Sequence, residues 1–293
     1  MPKVKTSTNP LMIPTYTWDE YSPKYKDLFQ LSRTESGVVT AKWHTNGHSA
    51  VWDQPLHRAI HQLCTDVGQD VESEVFIIGG AGNDWLAQIH STEKEDEEGK
   101  KWLSYEHMFY DGTNICEGLI YDLEIPTIGV INGPGFHTEM ALFCDITIMA
   151  EDATIVDTHF HPAGMVPADG IQIAMRESMG TKRANYAMLT CETIDAKKAL
   201  EYGMVNEVVP KDKVYERALE LGEFLAAKPR MLRRATVQVL RKPWKEAIAN
   251  ELRLGFGYEM WTYLAGNETH DGGGGEQDKI MKSLGSAMDA IDK

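Results

Sequence analysis

Short, almost uninterrupted apolar runs are the feature of this sequence that most limits its fold. Three of them are VFII at Val75–Ile78, TIGVI at Thr127–Ile131 and ITIM at Ile146–Met149. A strand needs such a run when both of its faces are covered, as in a parallel sheet between helices. Longer stretches with helical spacing, such as Leu56–Val67, lie between these runs. The alternation predicts an α/β layered core over residues 36–210.

The two ends of the chain differ from this core. Residues 1–35 are rich in Pro, Tyr and Ser, which predicts an irregular arm lying on the surface or on a neighbouring subunit. From residue 211 the pattern is almost wholly helical, with a flexible break expected at Gly272–Gly275. The predicted organisation is therefore an arm at 1–35, an α/β core at 36–210 and a helical C-terminal region at 211–293.

The charge balance limits the partners. The chain has 29 Lys and Arg against 44 Asp and Glu, a formal net charge of −15. Phosphates are repelled by such a surface, so nucleic acid and anionic membranes are disfavoured, whereas small uncharged substrates fit. There is no CxxC pair, no recognisable signal peptide and no apolar run approaching the roughly 18 residues that span a bilayer. These features predict a soluble cytoplasmic protein with free thiols.

Two glycine-rich turns follow predicted strands. The first, Gly79–Gly82, lacks the Lys-Ser/Thr pair and the GxGxxG spacing of phosphate-binding loops. It predicts a tight strand exit that brings backbone N–H groups, including that of Gly80, near a ligand. The second turn lies in INGPGFHTEM, which begins at Ile131 and leads into a short helix with His137 at its start. A helix dipole disfavours a cation there, so a neutral imidazole is expected.

The segment VDTHFHPAGMVPADG, residues 156–170, carries two histidines and two aspartates in a loop poor in apolar side chains. Such loops seldom serve packing alone. A carboxylate beside an imidazole fixes its tautomer and raises its basicity, and either His159 or His161 could pair with Asp169. The HxH pair lacks a third convincing ligand, so no metal site is predicted.

The helical region contains one carboxylate in an apolar setting. Glu259 shares a helical stripe with Leu252, Phe256 and Tyr263. An unpaired carboxylate on such a surface is costly, so Glu259 is either paired or functional. A second apolar stripe lies on another face of the same helix and contains Leu254, Tyr258 and Trp261.

Taken together, these motifs resemble the crotonase (enoyl-CoA hydratase/isomerase) superfamily. The resemblance is carried by Val75–Gly82, by PTIGVINGPGFHTEMALFCDITIMAEDATI, and by the later MGTKRANYAMLT and IDAKKALEYGMVNEVVP. It covers about residues 35–265. It implies an α/β fold with a crotonase-like spiral of ββα units, a helical C-terminal trimerisation region and a trimer or a pair of trimers. It also implies that two backbone N–H groups hold an oxyanion.

Three departures from the family pattern narrow the expected chemistry. The residues Phe136, His137 and Thr138 stand where most members have a run of glycines. Trp85–His90 replaces the usual F-x-x-G-x-D, and Phe160 falls at the position of the usual hydratase glutamate. Hydration of an enoyl thioester therefore lacks its expected acid–base residue.

The departures resemble those of the coenzyme A-independent β-diketone hydrolases of this superfamily. That resemblance assigns His137, Asp169 and Glu259 to catalysis, with either His159 or His161 as the second histidine. It implies retro-Claisen hydrolysis of a cyclic or bicyclic β-diketone with no cofactor. The loop histidine, oriented by Asp169, activates water, and His137, partnered by Glu259, stabilises the enolate. Six further residues are expected to line the substrate: Trp52, Gly80, Trp85, Ile89, Phe136 and Phe160.

Two other functions stay open. An acyl-CoA hydratase, isomerase or hydrolase would use the same fold, although the glycine run and the hydratase glutamate are missing. A non-catalytic trimeric binding protein is the third alternative, and the four ionisable residues at one matched site weigh against it. The helices between Lys211 and Ala265 carry more apolar surface than one core can cover, which predicts an oligomer on a threefold axis. The expected partners are a small-molecule diketone and further copies of this chain.

Overall fold

The computed structural model describes residues 15–89 and 105–269. Within them the strands are β1 Phe29–Arg33, β2 Val38–Trp43, β3 Val51–Trp52, β4 Val75–Gly80, β5 Gln88–Ile89, β6 Thr127–Ile131, β7 Ile146–Ala150, β8 Thr154–Ile155, β9 Ile194–Asp195 and β10 Glu207–Val209. Six of them form a mixed sheet in the order β1-β2-β4-β6-β7-β10. The β1–β2 pair is antiparallel, and the other neighbours in this sheet are parallel.

The helices surround this sheet. In chain order they are α1 Trp18–Tyr21, α2 Gln54–Gln69, α3 Tyr105–Glu117, α4 Glu139–Leu142, α5 Ile171–Met179, α6 Thr181–Thr190, α7 Ala196–Tyr202, α8 Val214–Ala226, α9 Arg230–Leu240, α10 Lys242–Ala247 and α11 Arg253–Thr269. Short π-helical turns occupy Gly118–Asp122, His159–Ala163 and Ile248–Leu252, and 3₁₀ turns occupy Ser22–Tyr25 and Lys211–Lys213. None of the helices in the two described ranges has the length and apolar character needed to cross a membrane.

The central strands are covered on both faces. Every residue of β4 and β6 is buried, as their continuous apolar runs require. Phe76 and Ile78 face the larger core, whereas Val75 and Ile77 face a smaller one that includes Val214 on α8. The α/β fold class predicted from the sequence is confirmed.

The amino-terminal residues depart from the irregular arm that was expected over 1–35. Phe29–Arg33 form an edge strand in register with β2, from the pair Phe29 and Trp43 to the pair Arg33 and Val39. Only one face of this strand is buried, so its sequence FQLSR lacks the continuous apolar run that identifies the central strands. The break expected at Gly272–Gly275 lies outside the described residues.

The exits of β4 and β6 lie side by side and frame the site. The two strands are parallel neighbours, so their carboxyl ends meet at one edge of the sheet. The Asn132 side-chain oxygen accepts a hydrogen bond from the Gly80 N–H at 3.1 Å, and its amide nitrogen donates to the carbonyl of Asp84 at 2.9 Å. One amide thereby ties both strand exits together. Ligands of parallel α/β sheets commonly bind at this edge.

Candidate active site

His137 lies between β6 and the one-turn helix α4 with a backbone φ of +53°. Few residues other than glycine adopt this left-handed conformation, and such strain persists only where the surroundings impose it. The Trp85 indole N–H donates to the His137 carbonyl at 3.2 Å, and the Trp52 ring lies against the imidazole with centroids 4.6 Å apart. Both the backbone and the ring of His137 are therefore held in place.

Two carboxylates meet one nitrogen of this imidazole. His137 Nδ1 lies 3.0 Å from Glu139 Oε1 and 2.9 Å from Asp169 Oδ2, and only the Glu139 contact has hydrogen-bond geometry. Burial alone would lower the pKa of His137, but the charges of Glu139 and Asp169 outweigh burial and raise that pKa to about 10. The expectation of a neutral His137 is thus wrong, because carboxylates rather than the four-residue helix α4 set its charge.

The second imidazole of the cluster is His159. Its Nδ1 lies 2.6 Å from Asp157 Oδ1, and its Nε2 lies 3.5 Å from Asp169 Oδ2 and 3.8 Å from Glu259 Oε1. Burial would lower the pKa of His159, but the three carboxylates raise it well above its usual value. His161 is exposed, because its extended backbone (φ −151°) interrupts the π-helical turn. Of the two loop histidines, the structure therefore brings only His159 into the cluster.

Asp169 joins the two imidazoles. Its Oδ1 accepts from the Ile171 N–H at 3.2 Å, while Oδ2 faces His137 and His159. Burial would raise the pKa of Asp169, but His159 and His137 outweigh burial and hold that pKa far below its usual range. Asp169 is thus ionised between two cations.

Glu259 approaches from α11 and is 3% exposed. Its Oε2 accepts from the Ala168 N–H at 3.0 Å, which fastens the loop before α5 to the helix. Burial raises the pKa of Glu259 to about 8, although the charge of His159 opposes this rise. The expected pair of His137 and Glu259 is not formed, because Glu139 occupies the imidazole nitrogen and Glu259 lies nearer His159.

Two groups of potential metal ligands share Asp169. One combines it with His137 and Glu139 and the other with His159 and Glu259, and the donor atoms within each group lie within 4.8 Å of one another. Of the HxH pair considered in the sequence, only His159 belongs to one of these groups. A metal would bind these imidazoles in their neutral form. The absence of a metal stays a prediction.

Sequence reasoning missed two carboxylates of the cluster. Glu139 and Asp157 each hydrogen-bond the Nδ1 of a histidine two residues away, His137 and His159 respectively. The signal was present in the HTE and DTH triplets. It was passed over because residues two apart do not face each other on a helix, and the turn geometry that brings them together here is not visible in the sequence.

A third missed residue is His57 on α2. Its ring lies 5.1 Å from that of Trp52, and its Nδ1 is buried without a hydrogen-bond partner. Burial lowers the pKa of His57 to about 4, so this imidazole is neutral beside the charged cluster. Helical periodicity gave no reason to single it out.

Four of the expected substrate-lining residues lie around or near this cluster. The Phe136 ring is 5.2 Å from that of His137, and Trp52 packs on the same imidazole. Ile89 pairs with Trp52 across the β3–β5 ladder. Phe160 follows His159 directly and is 49% exposed.

The other two expected substrate contacts are corrected by the structure. Trp85 is fully buried behind His137 and packs edge to face on Trp43, with centroids 4.4 Å apart. The N–H of Gly80 donates to Asn132, and its carbonyl accepts from the Tyr215 hydroxyl at 2.6 Å. Both residues support the strand exits, and the Gly80 N–H is bound to Asn132 rather than free for a substrate.

Similarity to known proteins identifies the family of this chain. A family model described as enoyl-CoA hydratase/isomerase matches residues 69–260. The chain belongs to the crotonase superfamily. Among solved crotonase-superfamily structures it is similar to a β-diketone hydrolase from the cyanobacterium Anabaena sp. PCC 7120 bound to (S)-3-oxocyclohexyl acetic acid. The two are 30% identical with a TM-score of 0.76, covering 83% of this chain and 96% of that chain.

The chain is also similar to other members of the superfamily. An enoyl-CoA hydratase from Mycobacterium avium subsp. paratuberculosis K-10 has a TM-score of 0.72 at 19% identity, covering 86% of this chain and 96% of that one, and shows the fold alone. Hydroxycinnamoyl-CoA hydratase-lyase of Pseudomonas fluorescens is 29% identical over 61% of this chain and 66% of its own length. The 2,3-dehydroadipyl-CoA hydratase of Escherichia coli strain K12 is 31% identical over 50% of this chain and 58% of its own. The chain thus spans less than two thirds of these two curated relatives. These homologues are enzymes.

Proposed function

We propose that this protein is a β-diketone hydrolase that cleaves a carbon–carbon bond of a cyclic β-diketone by retro-Claisen hydrolysis, without coenzyme A. The observation that carries the proposal is Asp169, held between His137 at 2.9 Å and His159 at 3.5 Å within a buried cluster. Two cationic donors suit a reaction in which negative charge develops first on one carbonyl oxygen and then on an enolate oxygen. The similarity to the Anabaena β-diketone hydrolase supports the substrate class.

The first step activates water. His159 is oriented by Asp157 through Nδ1, and its Nε2 faces Glu259 at 3.8 Å. When Glu259 is ionised it can take the proton from Nε2, and the neutral imidazole then accepts a proton from water. Because the pKa of Glu259 is about 8, its carboxyl group becomes able to accept this proton as the pH rises through 8. The two groups titrate as a pair.

The second step breaks the carbon–carbon bond. The water oxygen adds to one carbonyl carbon, the bond from that carbon to the carbon between the carbonyls breaks, and its electron pair forms the enolate of the second ketone. The Nδ1 of His137 is occupied by carboxylates, so its Nε2 is the nitrogen left to donate to the enolate oxygen. The proton removed from water returns to the enolate carbon, which gives a keto acid. No cofactor takes part.

We also propose that the chain forms a homo-oligomer. The second apolar stripe of α11 is exposed in the single chain, on the face away from buried Leu252 and Phe256. Its three residues are Leu254, Tyr258 and Trp261. A surface of this kind is usually covered by a partner, and light scattering of about 33 kDa, the mass of one chain, would contradict the proposal.

The test of the proposed activity offers purified protein a cyclic β-diketone and a crotonyl thioester side by side. We expect loss of the diketone ultraviolet band and formation of a keto acid, with no change in the thioester. His159→Ala serves as the control for background hydrolysis. Turnover of the thioester alone would instead support the second candidate, an acyl-CoA hydratase, which the two curated hydratase relatives favour.

A further inference from the structure

Glu139 is a buried carboxylate that the proposed reaction does not use. It is the first residue of α4 and is 4% exposed. Its Oε1 accepts the hydrogen bond from His137 Nδ1 at 3.0 Å, whereas Oε2 is buried with no hydrogen-bond partner. Burying a carboxylate with only one oxygen satisfied costs free energy of folding. Packing alone does not account for a carboxylate in this position.

Asp169 does not duplicate the contact that Glu139 makes. Asp169 Oδ2 is close to His137 Nδ1, but it lies outside hydrogen-bond geometry and also faces His159 Nε2 at 3.5 Å. Nδ1 carries a single proton and donates it to Glu139. Asp169 thus stabilises the positive charge of both imidazoles, and Glu139 is the hydrogen-bond partner of His137.

The backbone of His137 makes this partner necessary. With φ at +53°, His137 occupies a conformation that its own side chain disfavours, so the ring orientation depends on contacts outside the residue. The Trp52 ring supports one face of the imidazole, and Glu139 fixes its edge. Because the two ring nitrogens point in different directions, binding Nδ1 leaves Nε2 free to donate elsewhere.

We infer that Glu139 is a positioning residue that fixes the Nδ1 proton and the orientation of His137, so that Nε2 donates to the enolate oxygen of the substrate. The identity of that oxygen rests on the proposed function, whereas the pairing of Glu139 with His137 does not. Several titratable groups from different elements face this imidazole: Glu139 from α4, Asp169 from the loop before α5, His159 from the π-helical turn, His57 from α2 and Glu259 from α11.

The test compares Glu139→Gln with Glu139→Ala. The Gln amide oxygen can still accept the Nδ1 proton but carries no charge, whereas Ala removes both. NMR of histidine-labelled protein follows the titration of His137 and the hydrogen bond of its Nδ1 proton directly. We expect Gln to lower the pKa of His137 by at least about one pH unit with this hydrogen bond retained, since a contacting charge is lost. In Ala the hydrogen bond should also disappear.

Catalysis supplies the second measurement. Diketone kcat should fall about tenfold in Glu139→Gln and further in Glu139→Ala, the low end of general acid–base contributions, while KM changes less. An unchanged His137 titration in Glu139→Gln would overturn the inference, as would a shifted titration with unchanged kcat. If the Ala variant does not fold, the Gln variant decides alone.

Asp70→Asn is the matched control. Asp70 is also a buried carboxylate, and it accepts from Tyr21 at 3.1 Å and Arg33 at 2.9 Å, away from the cluster. We expect this variant to lower the melting temperature while leaving the His137 titration and kcat unchanged. If the wild-type protein proves inactive on diketones, the proposed function fails, and the His137 titration still decides the role of Glu139.

Discussion

Two buried polar clusters of this molecule handle charge in opposite ways. Around Arg241, which is 1% exposed, the guanidinium Nε donates to Asp145 Oδ1 at 2.8 Å and Nη2 to Asp145 Oδ2 at 2.5 Å. Nη2 also donates to the Ile125 carbonyl at 2.9 Å, and Nη1 donates to the Leu123 carbonyl. One cation meets one anion, and the remaining contacts are neutral acceptors. The two opposite charges of this cluster compensate each other.

The candidate site is different because its carboxyl groups outnumber its imidazoles. Two imidazoles face four carboxylates, namely Glu139, Asp157, Asp169 and Glu259. The pKa of Glu259 is raised to about 8 by burial, so this group exchanges a proton near neutral pH. The comparison teaches that the fold uses a fully compensated ion pair to fasten a helix and a partly compensated cluster to move protons.

The largest expected effect comes from removing the charge shared by both imidazoles. Asp169→Asn should lower diketone kcat by about 10²- to 10⁴-fold, because both His137 and His159 lose the anion between them. Steady-state kinetics and circular dichroism on the same sample separate loss of chemistry from loss of fold.

Asp145→Asn is the matching change in the other cluster, and it should lower stability while turnover of the folded fraction stays the same. Near-wild-type kcat in Asp169→Asn would remove Asp169 from the mechanism. It would also remove the distinction between a structural cluster around Arg241 and a proton-transferring cluster around Asp169.

A comparison of the two loop histidines is the next largest test. His159→Ala should reduce kcat about 100-fold or more, the scale of general acid–base catalysis, because it removes the imidazole that faces Glu259. His161→Ala should leave kcat unchanged, because His161 is exposed outside the cluster. Steady-state kinetics on the two variants measure both values of kcat. A large loss of kcat in His161→Ala with none in His159→Ala would make His161 the base instead of His159.

The central sheet could be predicted from the sequence because the burial of each strand depends only on the residues of that strand. A strand buried on both faces must be mostly apolar, and β4, β6 and β7 meet that rule. Edge strand β1 was missed because it needs only one apolar face and its sequence contains Gln, Ser and Arg. The superfamily was also accessible, because several of its segments are recognisable along the chain.

The details of the site were harder to predict from the sequence because they depend on the geometry of backbone turns. The sequence grouped His137, Asp169 and Glu259, but it could not choose between His159 and His161. That choice depends on a single extended residue within a π-helical turn. The charge of His137 was also misjudged, because the sequence-based argument considered the helix dipole and not the carboxylate two residues later.

A smaller effect on turnover is expected from Glu259→Gln, which keeps the size of the side chain and loses its titration. We expect kcat/KM to fall at least about tenfold. In the wild type, kcat/KM should rise with pH through an inflection near the Glu259 pKa of about 8, since the ionised pair is the active form. The rise should be absent in Glu259→Gln, and a pH–rate profile measures both. An identical rise in the variant would exclude Glu259 as its source.

The same variant has a predictable effect on stability. The pKa of Glu259 is raised from 4.5 to about 8 in the folded protein, so the folded state holds a proton that the unfolded state has lost between these values. Stability from this group is therefore fully present below pH 4.5 and lost as pH rises through 8. Urea unfolding across this range should show a shallower loss of stability with pH in Glu259→Gln than in the wild type.

The smallest expected effect on turnover comes from the compensated cluster. Arg241→Met leaves the partly buried Asp145 without its cation, which should cost up to about 3–5 kcal/mol of unfolding free energy, while kcat of the folded fraction stays unchanged. The double variant Arg241→Met with Asp145→Asn removes both charges and should lose less than the sum of the single changes. Urea unfolding of the four proteins gives this coupling, and diketone kinetics are measured on the same samples. A fall in kcat with unchanged stability would mean that the Arg241 cluster acts on the site, and the two clusters would then have to be treated as one electrostatic unit.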